Sequence, residues 1–137
     1  MIRPIVKDVF FLNRKAQPAT KADLPVAQDL LDTLRAHADH CVGMAANMIG
    51  VNKRIIAILL GPFPVAMLNP VIVSASEETY HTMEGCLSLP GERPAVRHKC
   101  IEVTYQDLDM QPHRQTFSDF PAQIIQHELD HCEGVLI

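Results

Sequence analysis

The stretch from Ser118 to Val135, SDFPAQIIQHELDHCEGV, decides how the rest of the chain is read. Ser118 or Asp119 can cap a helix, Pro121 is tolerated in a first turn, and Ile124, Ile125 and Leu129 then recur on one side. Inside that helix His127 and His131 lie one turn apart, so both imidazoles project from the same face and can reach one cation. Glu128 follows the first histidine directly, where a carboxylate can lie beside an ion without binding it, as a general base must. The apolar neighbours set this helix against a core and not in free solvent.

Working outward, CIEVTYQDL (Cys100 to Leu108) alternates apolar and polar residues, and Asp109 to Pro112 supplies a turn before HRQTF. That predicts a hairpin with one solvated face. RIIAILL (Arg54 to Leu60) reads as a central strand, and VAMLNPVIV (Val65 to Val73) as a second, interrupted at Asn69-Pro70. Val26, Leu30 and Leu34 recur at i+4 and predict a helix from Asp23 to about His40, with Pro25 in its first turn. Gly43 breaks that pattern and opens GMAANMIG (Gly43 to Gly50), small and apolar enough to be buried. EGCLSLPG (Glu84 to Gly91) is too rich in glycine and proline for an ordinary strand. Strands followed by a late helix indicate an α+β fold, expected to be one domain over residues 1–137, with mixed or antiparallel strands around the histidine-bearing helix.

The composition removes several function classes. Twelve basic residues against 16 acidic ones give a net charge of −4, which offers no broad surface for nucleic acid or anionic lipid. No apolar run approaches the length of a membrane span, and the opening MIRPIVKDVFFLNRK is too interrupted for a signal peptide. A cytoplasmic protein is expected. Cys41, Cys86, Cys100 and Cys132 are widely separated in an ordinary apolar sequence, which points to reduced thiols with at least one used for chemistry.

Two histidines leave a catalytic metal one protein ligand short of the usual three. After His131 the sole carboxylate is Glu133, which points to a different side of the helix, so a protease of the usual architecture is poorly supported. Upstream, Cys86 is a candidate, and as a ligand its thiol would be deprotonated. A lone cysteine is otherwise a small buried hydrophobe.

The segments GMAANMIG, EGCLSLPG and QHELDH, in this order and at these separations, resemble the three signature motifs of the peptide deformylases. The likeness extends to the helix before the first motif, the strand RIIAILL after it and the GVL that follows the last. It implies hydrolysis of the formyl group from N-formyl-methionyl peptides and nascent chains, with release of formate. It implies one divalent metal held by Cys86, His127 and His131, with Glu128 as the catalytic carboxylate. Ligand softness alone would suggest Zn2+. The resemblance points instead to Fe2+ as the native ion, with Zn2+, Ni2+ or Co2+ able to occupy the same ligands.

The resemblance also assigns the oxyanion to the backbone N–H of Leu87 together with a glutamine of the first motif. Here the chain departs from the family. Against the usual G-x-G-x-A-A-x-Q-x-G it has CVGMAANMIG, so Cys41 replaces the first glycine and Met48 the glutamine. Methionine has no N–H to donate, and Asn47 beside it is the one nearby amide. For the substrate, the resemblance places the peptide backbone along Gly43 and Leu89, a methionine side chain among Val42, Phe120, Ile124 and His127, and a basic side chain, Arg93, near the peptide. Two other readings stand beside an active deformylase: a related protein with weak or altered N-acyl hydrolase activity, and a non-catalytic peptide-binding module for which Glu128 would be dispensable.

Overall fold

Four consecutive side chains, Ile55, Ile56, Ala57 and Ile58, are completely buried. Successive side chains of a strand point to opposite faces, so this strand must be covered on both. The computed structural model describes residues 1–137 and shows what covers it. Its helices are α1 (Val9–Leu12), α2 (Leu24–Ala36) and α3 (Asp119–Cys132). Its strands are β1 (Gly43–Ala45), β2 (Ile55–Leu60), β3 (Phe63–Ala75), β4 (Thr79–Cys86), β5 (Leu89–His98), β6 (Cys100–Gln106) and β7 (Pro112–Ser118). An antiparallel sheet runs β1-β2-β3-β6-β7, and β4 and β5 form a separate two-stranded sheet.

Ile55 and Ala57 pack with Leu30, Leu31 and Leu34 of α2, while Ile56 and Ile58 pack with Ile124, Ile125 and Leu129 of α3. The larger sheet thus lies between two helices, in the α+β arrangement expected. Each fully buried aliphatic side chain contributes on the order of 1.5–3 kcal/mol, so the β2 run is the strongest local commitment to this packing. No helix is long and apolar enough to cross a membrane.

Several elements differ from expectation for identifiable reasons. The first long helix ends at Ala36, not near His40. The His37 ring donates to the Thr33 carbonyl at 2.9 Å and its backbone N–H to the Leu34 carbonyl at 3.1 Å, so the last turn closes early. The interruption expected at Asn69-Pro70 is present, as a bulge and not a break. Asn69 takes a left-handed φ of 53° at a bulge between Leu68 and Val71, held by hydrogen bonds to Ala19 and Gln106, and β3 continues to Ala75.

The EGCLSLPG segment is strand at both ends, against the expectation, because it is the turn of the β4–β5 hairpin. In a two-stranded sheet both strands are edges, where Pro90 and Pro94 cost no ladder partner on the outer side.

Helix α3 ends on Gly134, which has a φ of 76°. Its N–H donates to the His131 carbonyl and that of Val135 to the Asp130 carbonyl, a closure that satisfies the last carbonyls of the turn that carries His131. A Cβ at Gly134 would stand 2.6 Å from the Asn13 carbonyl oxygen. Gly134→Ala is therefore expected to destabilise the protein by at least about 1 kcal/mol, from left-handed strain plus the clash. Urea denaturation checks this; a midpoint equal to wild type would show that the loop carrying Asn13 simply moves aside.

Candidate metal centre and active site

Helix α3 turns its polar face toward the end of β4. His127, Glu128 and His131 are all buried there, and Cys86 approaches from the hairpin. One ligand atom each from Cys86, His127 and His131 lie within 4.8 Å of one another. The two imidazoles face each other through their Nε2 atoms at 3.2 Å. His127 Nδ1 lies 2.8 Å from Glu84 Oε1; a carboxylate only accepts, so Nδ1 carries the hydrogen and Nε2 is left to face the cluster.

The charges fall into a clear order. Burial by itself would neutralise Glu84, but hydrogen bonds from His127 and Arg97 prevail and hold its pKa at about 2. Arg97 grips Glu84 through Nε at 3.0 Å and Nη2 at 2.6 Å, and reaches Asp130 through Nη1 at 2.7 Å. Burial opposes a proton on His127, yet the Cys86 and Glu84 contacts outweigh it and lift the pKa to about 10. Burial and the neighbouring His127 hold His131 down at about 3. The two nitrogens and the Cys86 sulfur converge on one point, where a cation could be held by all three. A thiolate and two imidazoles suit a transition metal, so the residues fit such an ion.

Glu128 lies beside this cluster. Burial pushes its carboxyl up to about 7, and its Oε1 is buried with no hydrogen-bond partner. Gly43 makes that position possible: a Cβ there would stand 2.7 Å from Ile124 Cγ2 and 2.8 Å from Glu128 Oε2. β1 can press against α3 only because this residue is glycine.

The cluster opens into a cavity of about 500 Å³. Val42, Gly43, Met48, Leu87, Leu89, Phe120, Ile124, His127 and Glu128 line it together with Cys86. The Leu87 N–H donates to no group of the chain. Asn47 and Arg93 do not line the cavity. Asn47 Nδ2 donates to the His131 carbonyl at 3.0 Å, and Arg93 Nη1 to the Pro90 carbonyl at 3.0 Å. Glu133 is turned away and paired with Arg54 at 2.7 Å.

Sequence reasoning passed over Glu84, Arg97, Asp130 and Gln123, and did not place Cys41 on the cavity wall. Glu84 had a local signal, since alternation puts it on the same side of β4 as Cys86. Cys41 donates its thiol hydrogen to Gly43 O at 3.0 Å, and burial pushes its pKa to about 12, so it stays neutral.

Known proteins share this sequence pattern and fold. The family model described as polypeptide deformylase matches residues 2–137. A peptide deformylase of Clostridium beijerinckii is 55% identical over 137 residues, covering 100% of both chains, and one of Thermotoga neapolitana is 37% identical over 92% of this chain and 78% of its own. Among solved structures, the Thermotoga maritima peptide deformylase has a TM-score of 0.90 at 30% identity, covering 99% of this chain and 95% of that one. A Met-Ala-Ser-bound peptide deformylase of Acinetobacter baumannii has a TM-score of 0.89 at 30% identity, covering 99% and 97%. The chain belongs to the polypeptide deformylase family, metallohydrolases that remove the N-formyl group from formyl-methionyl peptides.

Proposed function

We propose that Cys86, His127 and His131 hold the divalent ion of this deformylase, Fe2+ in the native protein and Zn2+, Ni2+ or Co2+ as substitutes, and that Glu128 moves the proton. The observation that carries this reading is the convergence of one thiol and two imidazoles within 4.8 Å beside the buried carboxylate of Glu128. A cation in that position supplies a Lewis acid and brings the pKa of water toward neutrality.

Glu128 Oε1 is free to take the proton of the attacking water and return it to the leaving amine, and a pKa near neutrality suits both steps. The unengaged Leu87 N–H donates to the oxygen of the formyl group as charge develops there. β1 is paired only with β2, so its other edge can hold an extended peptide backbone at Gly43, with Leu89 opposite. The methionine side chain enters among Val42, Phe120 and Ile124, whose apolar surface keeps water from the reacting bond. Nascent chains in the cytoplasm are the substrates in this reading; four free cysteines suit a reducing compartment.

Formate release from formyl-Met-Ala-Ser by anaerobically purified, iron-loaded protein is the direct test, and no turnover would overturn the reading. Cys86→Ala removes the only thiolate and is expected to abolish tight metal retention; elemental analysis that still finds one ion per chain would assign the third ligand elsewhere. Glu128→Ala is expected to keep the metal and lose about 10²–10⁴ in kcat. A near-wild-type rate would remove Glu128 from the proton path.

Met48 lines the cavity, and its sulfur accepts the Ala45 N–H at 3.5 Å. A glutamine there could accept that N–H through Oε1 and still present Nε2 to the substrate. Met48→Gln is expected to raise kcat, up to the roughly 10²–10³ that one oxyanion donor contributes, with metal content unchanged. An unchanged kcat would show that Leu87 alone suffices.

A further inference from the structure

Apart from Glu84, Cys86, His127 and Glu128, the cavity is lined by apolar side chains, glycines and the neutral Cys41 thiol, with only two polar exceptions, His40 and Gln123. His40 is exposed, whereas Gln123 is half-buried and stands one turn before His127 on the same face of α3. Its amide is held at both ends. Nε2 donates to Glu84 Oε2 at 3.0 Å, and the Tyr80 hydroxyl lies 3.0 Å from Oε1. Because a carboxylate only accepts, Nε2 must face Glu84 and Oε1 must face Tyr80, whose hydroxyl therefore donates. Only one of the two Nε2 hydrogens is used by these bonds. The other has no acceptor within the chain, on a side chain that lines the cavity.

We infer that Gln123 is a specificity-determining residue: its second amide N–H is offered to an acceptor on the first side chain of the substrate, and the Tyr80 hydroxyl keeps the amide in that orientation. The inference rests on the reading that this cavity receives the side chain of the formylated residue. A thioether sulfur is a weak acceptor and a sulfoxide oxygen a strong one. Methionine is thus preferred to norleucine, its all-carbon counterpart of the same length, and methionine sulfoxide is admitted as a first residue. A wholly apolar wall would do the opposite, favouring norleucine and rejecting the sulfoxide for its unpaired oxygen.

The test compares kcat/KM for formate release from three formyl tripeptides that end in Ala-Ser and begin with methionine, norleucine or methionine sulfoxide. Wild type, Gln123→Leu and Tyr80→Phe are each assayed as one metal-loaded preparation, so ratios between substrates cancel any change in metal content. The sulfoxide-to-norleucine ratio is expected to fall about tenfold in Gln123→Leu, and the methionine-to-norleucine ratio about threefold, the range of one net hydrogen bond. Tyr80→Phe, which leaves the amide present but unlocked, is expected to give a smaller fall in the same direction. If Gln123→Leu does not fold, Gln123→Met, which keeps length and removes the donor, carries the same expectation. Unchanged ratios in an active donor-free variant would overturn the inference and leave the reading of the cavity intact. Equal wild-type turnover of a formyl-Gly-Ala-Ser peptide would overturn that reading, and the inference with it.

Discussion

The candidate ligand set is assembled from two pieces of chain that share no strand pairing, and the buried carboxylate of Glu84 is what ties them. The hairpin of β4 and β5 brings Cys86, while α3 brings both histidines. Glu84, on the hairpin, accepts from His127 Nδ1 on the helix; Arg97, on the other hairpin strand, binds Glu84 and reaches Asp130 on the helix. The Gln126 side chain completes the join by bonding both the N–H and the carbonyl of His98. A buried ion pair of this kind adds little net stability, since desolvation offsets most of the attraction. Its consequence is positional: any slide of the hairpin along α3 would separate opposite charges, and losing one partner would leave the other uncompensated at about 3–5 kcal/mol.

The same arrangement divides two carboxylates into two roles. Glu84 is met by donors from His127, Arg97 and Gln123 and stays ionised, with a pKa of about 2. Glu128, close by on α3, has an Oε1 without any donor and is lifted by burial to about 7. One acid fixes geometry because its donors hold it ionised, and the other is raised because burial outweighs the neighbouring charges of His127 and Arg97.

How much of this was legible in the sequence follows from how local each signal is. In α3 the apolar stripe of Ile124, Ile125 and Leu129 and the pair His127 and His131 lie within about two helical turns, so the helix and its two candidate ligands could be read together. β2 was legible because both its faces are apolar. The β4–β5 hairpin was not: Pro90, Gly91 and Pro94 read as loop, and strand structure there depends on pairing across the turn. Arg97 had no local signal at all, since its partners come from a neighbouring strand and from a helix 33 positions on. Asn47 was considered because it carries an amide beside Met48, but a turn of 3₁₀ helix sends it to the His131 carbonyl while Met48 faces the cavity.

The first motif shows where the site tolerates change. Gly43 has no freedom, because any Cβ would strike Ile124 and Glu128 at under 3 Å and displace the buried carboxylate. Position 41 is different, since its side chain faces open cavity; a cysteine fits there and its thiol closes onto the Gly43 carbonyl at 3.0 Å. Met48 fills its buried position fully, and its sulfur takes up the Ala45 N–H that would otherwise be unpaired. Steric demand thus requires glycine at position 43, while at position 48 methionine fills the buried space and offers no hydrogen-bond donor. In the proposed reading the oxyanion depends on a donor that no side-chain substitution can remove, the unengaged backbone N–H of Leu87, which lies in the turn directly after Cys86.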